Sequence, residues 1–322
     1  MQQRARGRRF AAVLAGLALT MTACANSDGG SDGQSGGDKF TIGVSMLNMR
    51  DPDLAVMADA MKQEADKAGV DLVIVDAKGD VSTELSQIED LVTRQVDAVV
   101  MMPIDGDQSQ TAAKLVNDAD IPLFILSTEF SEGNSIKQTS YIGVDDTEAG
   151  KMQAQYLNEQ LPDGGKLIYI VGTYGASWTD RRKAGFEEVI NPNFEVVAEQ
   201  QANGSRDEGK RVMENLLTRY STPGEIAAVV AHNDEMAIGA ASAIDEAGRA
   251  DEFKVIIAVD GTPPGLEAIA SGAMTATVKQ DSAGQGVKAV DVALSFLKGE
   301  TVDERYDLPF TLVTKDNVAD FQ

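Results

Sequence analysis

The sequence predicts an α/β fold built from doubly wound parallel sheets and divided into two domains. From residue 40 onwards, short apolar runs alternate with amphipathic helical segments to the end of the sequence. Continuous apolar runs of this kind are typical of parallel strands that are buried on both faces. The patterned region, 39–322, is also longer than most single domains, which favours two.

Nine apolar runs predict strands. Each is short, rich in β-branched residues, and followed by a polar turn or the start of a helix. In chain order they are FTIGVSM (40–46), DLVIVDA (71–77), DAVVMMPI (97–104), PLFILS (122–127), YIGVD (141–145), KLIYIVG (166–172), AAVVAH (227–232), KVIIAVD (254–260) and MTATVKQ (274–280).

Two of the intervening helices have readable ends. Asp51 and Pro52 suit the cap and first turn of a helix that Gly69 can close. A second helix is predicted to start near Ser82. The inward-facing positions follow helical spacing and are Leu54, Met57, Met61 and Ala65 in the first helix and Leu85, Ile88 and Leu91 in the second.

Polar residues follow several of the predicted strands. In open parallel sheets, ligands bind outside the carboxyl ends of the strands. A single polar residue at such a place is usually only a turn or a helix cap, but here neutral hydrogen-bonding groups and one acid recur. The pattern predicts a site for a neutral polyhydroxylated ligand, formed by Ser45, Asn48, Ser127, Asn233, Asp260 and Gln280.

Composition narrows the class of protein. The chain has one cysteine, one histidine and a formal net charge of -23, which disfavours nucleic acid and anionic ligands. It contains no P-loop, no G-x-S-x-G elbow and no H-E-x-x-H helix. We therefore expect a protein that is not an enzyme and that uses neither a metal nor a cofactor.

The N-terminal sequence predicts export and lipidation. Basic residues, an apolar run and the sequence MTAC are typical of a signal peptide over 1–23 and a lipidated Cys24. The Gly/Ser/Asp-rich stretch 24–38 then indicates a flexible tether on the outer face of the cell membrane. Export by the general route is expected, although the adjacent Arg8 and Arg9 also suit the twin-arginine route.

Three segments carry a resemblance to a known family. ENLLT (214–218), HNDEMAIGA (232–240) and VDGTPPGLEAI (259–269) resemble the ribose-binding branch of the periplasmic sugar-binding proteins, and the similarity extends over about 39–316. Repressors of the LacI type share this core, but they place a DNA-binding helix-turn-helix where this chain has a signal peptide and tether.

The resemblance implies a type I periplasmic binding protein, in which two Rossmann-like lobes are joined by a three-stranded hinge. The crossings fall near Asp145, near Gln280 and at 308–310. The lobes would comprise 39–144 plus 281–307 and 145–280 plus 308–322. Closure of such lobes around a ligand is a hinge motion, and the expected partner of the monomeric protein is an ABC permease.

The family's ligand contacts fall on Ser45, Arg182, Asn233, Asp260 and Gln280, with Asn48 or Asp51 in place of a first-loop amide. Ser127, Asn203 and Trp178 complete the predicted ligand-binding set. For Arg182 the alternative is a surface ion pair, and for Asp260 it is a helix cap. Trp178 precedes Arg182 by one helical turn, so it either shares the ligand-facing side or packs between helix and sheet.

This chain departs from the ribose binders where they place aromatic rings around the sugar. The matching positions hold Asp53, Leu54, Gly204 and Val259, and Ser127-Thr128 replaces an aspartate-arginine pair. The loss of these rings favours a small sugar alcohol over ribose itself. Two functions fit: the substrate-binding lipoprotein of an importer, or a ligand-sensing lipoprotein that presents its ligand to a membrane receptor.

Overall fold

The computed structural model describes residues 39–322. The predicted signal peptide, the lipidation site Cys24 and the tether lie outside the described residues. Strands and helices alternate along the chain, in the order β1 Thr41–Met46, α1 Pro52–Ala68, β2 Asp71–Asp76, α2 Val81–Thr93, β3 Ala98–Met101, α3 Gln110–Asp118, β4 Leu123–Leu126, β5 Ser140–Gly143, α4 Asp146–Gln160, β6 Gly165–Val171, α5 Ser177–Val189, β7 Phe194–Gln201, α6 Arg206–Arg219, β8 Ala228–Ala231, α7 Asp234–Glu246, β9 Val255–Asp260, α8 Pro263–Ser271, β10 Ala276–Lys279, α9 Ser282–Leu297, β11 Arg305–Asp307 and β12 Thr311–Thr314.

The strands form two six-stranded sheets. The first has the order β11-β5-β4-β3-β1-β2, and all its neighbours are parallel. The second has the order β12-β10-β9-β8-β6-β7, with β12 antiparallel and the others parallel. Apolar clusters pack on both faces of each sheet. The predicted class, two doubly wound α/β lobes, is confirmed.

All nine predicted strands are present, and three further strands were not predicted. β7, β11 and β12 lie at sheet edges, and their residues are mostly half-buried or exposed. An edge strand has a neighbour on one side only, so it does not need the continuous apolar run by which a buried parallel strand is recognised.

The predicted ends of α1 agree with the structure. The Asp51 side chain accepts a hydrogen bond from the Asp53 amide, and Gly69, at φ 73°, ends the helix. Helix α2 starts at Val81, one residue before the predicted start, because the Asp80 carboxylate caps it by accepting from the Thr83 amide. Local capping chemistry therefore sets the ends of both helices.

The chain passes three times between the two sheets, between β5 and α4, between β10 and α9, and between β11 and β12. Helix α4 packs on α5 of the second lobe, whereas α9 packs on α1 of the first. Within 39–322, no helix is both long enough and apolar enough to cross a bilayer.

Candidate functional site

The carboxyl ends of strands from both sheets surround one cavity with a volume of about 620 Å³. Groups from both lobes therefore face the same space, as expected where parallel strands of two sheets end. Residues after strands of the first sheet include Asn48, Lys78, Met102 and Ser127, and residues at or after strand ends of the second include Thr173, Asn203, Asn233, Asp260 and Gln280.

Nine of the ten predicted ligand-binding residues line this cavity: Asn48, Asp51, Ser127, Trp178, Arg182, Asn203, Asn233, Asp260 and Gln280. They come from seven different loops and helix starts, yet the fold places them around one space. Their contact with a ligand stays a prediction.

The structure corrects the expectation for Ser45. This residue lies within β1, is 0% exposed and does not belong to the cavity lining. It pairs in register with Met101, which packs in the apolar cluster under α2 and α3. Because side chains alternate along a strand, Ser45 points into that layer, whereas Val44 and Met46 face the opposite one.

Backbone strain concentrates at the cavity. Six described residues other than glycine have positive φ, and four of these line it: Lys78 at 58°, Ser127 at 61°, Asn203 at 50° and Asp260 at 117°. Such conformations cost free energy for residues with a Cβ and persist where the surrounding structure holds them, typically at binding sites. The clustering of these strained residues around the cavity supports its assignment as the functional site.

Arg182 is the central cation of the cavity. It is 5% exposed, its Nε donates to Asp146 Oδ1 at 2.8 Å, and one terminal nitrogen donates to the His232 carbonyl. A terminal nitrogen also lies 3.7 Å from Asp260 Oδ1. The alternative of a surface ion pair is therefore wrong, since this ion pair is buried and Arg182 lines the cavity.

Asp260 and Gln280 belong to a hydrogen-bonded chain that also includes Asp53. The Gln280 amide nitrogen donates to Asp53 Oδ2 and to Asp260 Oδ1, both at 2.9 Å. Its oxygen accepts from Gln285 Nε2 at 3.0 Å, and Ser282 donates to the other oxygen of Asp53. One amide thus links a carboxylate of the first lobe to a carboxylate of the second.

Asp53 is a cavity residue that the sequence argument did not select. It stands where the ribose-binding branch has a ring, and one residue after Pro52 it is easily interpreted as an ordinary acid in the first helical turn. One feature of the sequence could have indicated Asp53: it precedes Met57 by one helical turn and therefore lies on the inward-facing side of α1. An acid placed on a buried face needs partners, and here these are Gln280 and Ser282.

Burial raises the pKa of two carboxyl groups at the cavity, those of Asp53 and Asp260. Burial raises the pKa of Asp53 to about 7, although the hydrogen bond from Ser282 opposes this change. Burial also raises the pKa of Asp260 well above its ordinary value, and the negative charge of Asp53 raises it further. A carboxyl group can donate a hydrogen bond when protonated and only accept when ionised.

Two asparagines at the cavity are held by hydrogen bonds of their side chains, and one of them also holds the local backbone. Asn233 Oδ1 caps α7 by accepting from the Met236 amide at 3.0 Å, and its Nδ2 donates to the Gly204 carbonyl at 3.2 Å. Asn203 Nδ2 donates to Glu208 Oε2 at 2.8 Å. Asn233 therefore caps a helix and lines the cavity at the same time.

Trp178 both lines the cavity and packs between helix and sheet, which were the two alternatives for it. It lines the cavity, and its indole lies 5.2 Å from the Arg182 guanidinium carbon and 6.0 Å from the His232 ring. The ring covers Gly172, where a Cβ would lie 1.9 Å from it. Trp178 is the one aromatic residue among the described residues that line the cavity.

His232 lies behind the cavity, as the alternation of strand side chains predicts. Its Nδ1 accepts from the Gly172 amide at 3.2 Å, and its Nε2 is 2.9 Å from the Tyr169 hydroxyl. Burial lowers its pKa well below the ordinary value, so the ring is neutral. Over 39–322, no group of three or more histidine, cysteine or acidic side chains has the geometry of a metal site.

Comparisons with known proteins agree with this architecture. The sequence profile of the periplasmic binding protein domain matches residues 42–301. The chain is 33% identical over 309 residues to the ribose import binding protein RbsB of Salmonella typhimurium, covering 96% of this chain and 99% of that protein. It is 35% identical over 288 residues to a putative rhizopine-binding protein of Rhizobium meliloti, covering 88% and 92%.

A solved structure with the same fold is an ABC transporter solute binding protein from Bacillus halodurans with bound myo-inositol. It superposes with a TM-score of 0.82 at 35% identity, covering 88% of this chain and 97% of that one. The profile match extends through both sheets up to the start of β11, and the relatives align over nearly their whole length. The chain therefore belongs to the periplasmic binding protein family.

Proposed function

We propose that the protein is the substrate-binding lipoprotein of an ABC-type importer and that it binds a neutral monosaccharide or small sugar alcohol between its lobes. The observation that carries this proposal is the convergence of Arg182, Asn233, Asp260 and Gln280 on a cavity that both lobes line. Related proteins whose names state ribose import or a bound myo-inositol support a polyhydroxylated ligand and transport.

The chemistry of the lining suits hydroxyl groups. The Arg182 guanidinium donates in a plane, the Asp51 and Asp260 carboxylates accept, and the amides of Asn233 and Gln280 do both. A site of this kind rejects analogues that lack a hydroxyl, because its buried polar atoms would then lose their partners.

The near absence of rings favours an alcohol over ribose. Trp178 can cover one apolar face of a ligand, but no second ring among the described lining residues lies opposite. A linear sugar alcohol has no ring face with axial hydrogens, so it depends less on stacking between two rings than a pyranose does. The xylitol-binding protein of Mycolicibacterium smegmatis, 31% identical over 315 residues, shows that a relative of this sequence binds such a compound.

Export and anchoring complete the proposal. Cys24 follows a basic and apolar N-terminal segment and precedes a tether rich in Gly and Ser, as in lipoproteins held on the outer face of a membrane. Labelling of the expressed protein with a radioactive fatty acid, compared with a Cys24→Ala variant, tests this part by itself.

A thermal-shift screen tests the ligand class. Pentoses, hexoses, inositols, tetritols and pentitols are added singly, and a true ligand at about 100 times its dissociation constant stabilises the folded state by roughly 2.7 kcal/mol. No shift with any of these compounds would refute the proposed ligand class. Cross-linking in cells then identifies the membrane partner: a permease supports transport, and a histidine kinase would support the sensing function instead.

A further inference from the structure

The two lobes touch each other directly at the rim of the cavity. The Gly106 amide of the first lobe donates to the Gly175 carbonyl of the second at 3.0 Å. The Glu129 amide donates to Ser177 Oγ at 2.7 Å, and Arg181 lies 3.0 Å from Glu129 Oε1. We refer to Gly106, Glu129, Gly175, Ser177 and Arg181 as the clasp.

Glu129 is the centre of the clasp because both its backbone and its side chain are engaged. Ser177 and Arg181 are four residues apart on α5, so they lie on one face of the helix and hold the same residue. Its second carboxylate oxygen lies 3.1 Å from Arg305. The Glu129 side chain is 16% exposed, which leaves the bonds to Arg181 and Arg305 partly shielded from water.

The glycines of the clasp permit the close approach. A Cβ at Gly106 would lie 2.7 Å from Ser131 Oγ, and a Cβ at Gly175 would lie 2.6 Å from Asp105 Oδ2. Gly175 also has φ 88°, a conformation that side chains disfavour. The backbones can therefore meet across the rim because neither residue has a side chain.

The clasp contacts α5, the helix whose Trp178 and Arg182 line the cavity. Trp178 and Arg182 line the cavity from α5, while Ser177 and Arg181, each one residue earlier, face Glu129. None of Glu129, Ser177 and Arg181 belongs to the cavity lining. A residue of the first lobe thus holds the helix by which the second lobe presents its arginine and its ring.

We propose that Glu129 is a positioning residue for ligand binding, which stabilises the closed arrangement of the lobes through the clasp. The inference rests on the proposed function in that the closed arrangement is the one that holds ligand. Because no clasp bond involves a cavity-lining side chain, its contribution does not depend on which ligand is bound. Apparent affinity scales with the populated fraction of the binding-competent state, so weakening the clasp lowers affinity for all ligands by one common factor.

Amide hydrogen exchange in the full-length, ligand-free chain tests the clasp without any ligand. Gly106 donates across the rim, so its exchange rate reports separation of the lobes. In Glu129→Ala, we expect the Gly106 amide to exchange faster by about 3- to 10-fold, as for the loss of partly exposed ion pairs. Ser177→Ala removes the other bond to Glu129 and should act in the same direction.

Glu132→Ala is the matched control, since this exposed acid lies three residues further along the same loop and has no ion pair in the described structure. It should leave Gly106 exchange within about twofold of the unaltered chain. Unchanged exchange in both Glu129→Ala and Ser177→Ala would overturn the proposal, as would an equal effect of Glu132→Ala.

Binding kinetics supply the second readout. For any compound that shifts the melting temperature, Glu129→Ala should raise the dissociation rate, because the clasp then holds the lobes around the ligand less tightly. The factor of this increase should agree between two chemically different ligands. A factor that differs between ligands would assign Glu129 to ligand contact and contradict the clasp. If no compound binds, the proposed function fails, while the exchange result still decides on the clasp.

Discussion

Arg182 shows how a single residue can serve both the fold and the site. Its guanidinium compensates the buried carboxylate of Asp146 and reaches towards Asp260. Removing one member of a buried ion pair leaves the other charge without compensation, which is far more costly than losing an exposed pair. Loss of binding after substitution of Arg182 could therefore come from a lost ligand contact or from a destabilised fold. A substitution of Asp260 separates these two effects better.

Asp260→Asn should weaken binding of the cognate ligand by about 10- to 100-fold, because one oxygen that can accept from ligand hydroxyls becomes an NH2 group that can only donate. The amide oxygen of asparagine can still accept from Gln280 and Asp146 still pairs with Arg182, so the melting temperature without ligand should fall much less than in Arg182→Ala. Arg182→Ala, in contrast, should cost about 3–5 kcal/mol of stability as well as binding. Titration calorimetry and thermal melts measure both quantities. Undiminished affinity in Asp260→Asn would mean that the carboxylate does not contact the ligand.

Glu84 is a buried acid away from the cavity that makes stability depend on pH. It is 0% exposed, one carboxyl oxygen accepts from the Ile104 amide at 3.2 Å, and the other has no partner within the described residues. Burial raises its pKa from 4.5 to about 7. Between these values the folded state binds more protons than the unfolded state, so stability falls as pH rises through this window.

Glu84→Gln should remove this contribution. The free energy of unfolding of the unaltered chain should decrease between pH 4.5 and 7, and the variant should show a decrease smaller by up to roughly 2 kcal/mol. The remaining slope includes Asp53, whose pKa is raised in the same direction. Urea melts at several pH values provide the measurement. Glu89→Gln, an exposed position on the same helix, should keep the full slope.

At the scale of elements, the contact between α4 and α5 sets the position of Arg182. The two helices meet at glycines: a Cβ at Gly150 would lie 1.9 Å from the Arg182 carbonyl, and one at Gly185 would lie 1.9 Å from the Thr147 carbonyl. Neither backbone can yield without moving a whole helix. The sequence therefore needs glycine at both positions although both are inside helices, where glycine is unfavourable.

Gly185→Ala should destabilise the protein by about 1–3 kcal/mol, because the added methyl group separates two helices packed backbone to backbone. It should also weaken ligand binding, since α5 carries Trp178 and Arg182 into the cavity. Thermal melts and titration calorimetry measure the two effects. Glu187→Ala, on the exposed side of α5, should stay within about 0.5 kcal/mol. A Gly185→Ala variant as stable as the unaltered chain would argue against this close packing.

At the scale of the whole molecule, the net charge of -23 opposes compaction. Acidic groups repel one another in the folded state, and salt screens this repulsion within a Debye length of about 10 Å at 0.1 M. The net charge and the cavity affect ligands in different ways. The negative electrostatic potential of the whole protein disfavours anions, whereas the arrangement of neutral and charged groups in the cavity determines which ligand binds.

Raising sodium chloride from 10 to 200 mM at pH 7.5 should increase the melting temperature by about 2–4 °C, equivalent to roughly 1 kcal/mol for a chain of this size. Near the sequence pI of about 4.3 the net charge vanishes, and the effect of salt should largely disappear. Scanning calorimetry at the two pH values measures both effects. An equal salt effect at both would point to specific ion binding instead of screening.

The sequence by itself determined the α/β class, the nine strands with continuous apolar runs, the ends of α1, and the polar strand ends around the cavity, except at Ser45. These follow from local patterns, since periodicity and capping depend on neighbours a few residues apart. The prediction that polar strand ends converge relied on a general property of parallel sheets. It needed no knowledge of any particular contact between side chains.

Only the tertiary structure decided which side chains point into the cavity and which elements of the two lobes meet. Ser45 faces the α2 layer, Asp53 joins the chain of Gln280 and Asp260, and Glu129 reaches α5 of the other lobe. Asp53 and Gln280 are 227 residues apart in the sequence, and Glu129 and Ser177 are 48 residues apart. No short-range pattern encodes such pairs, because they arise only when whole helices and sheets pack together.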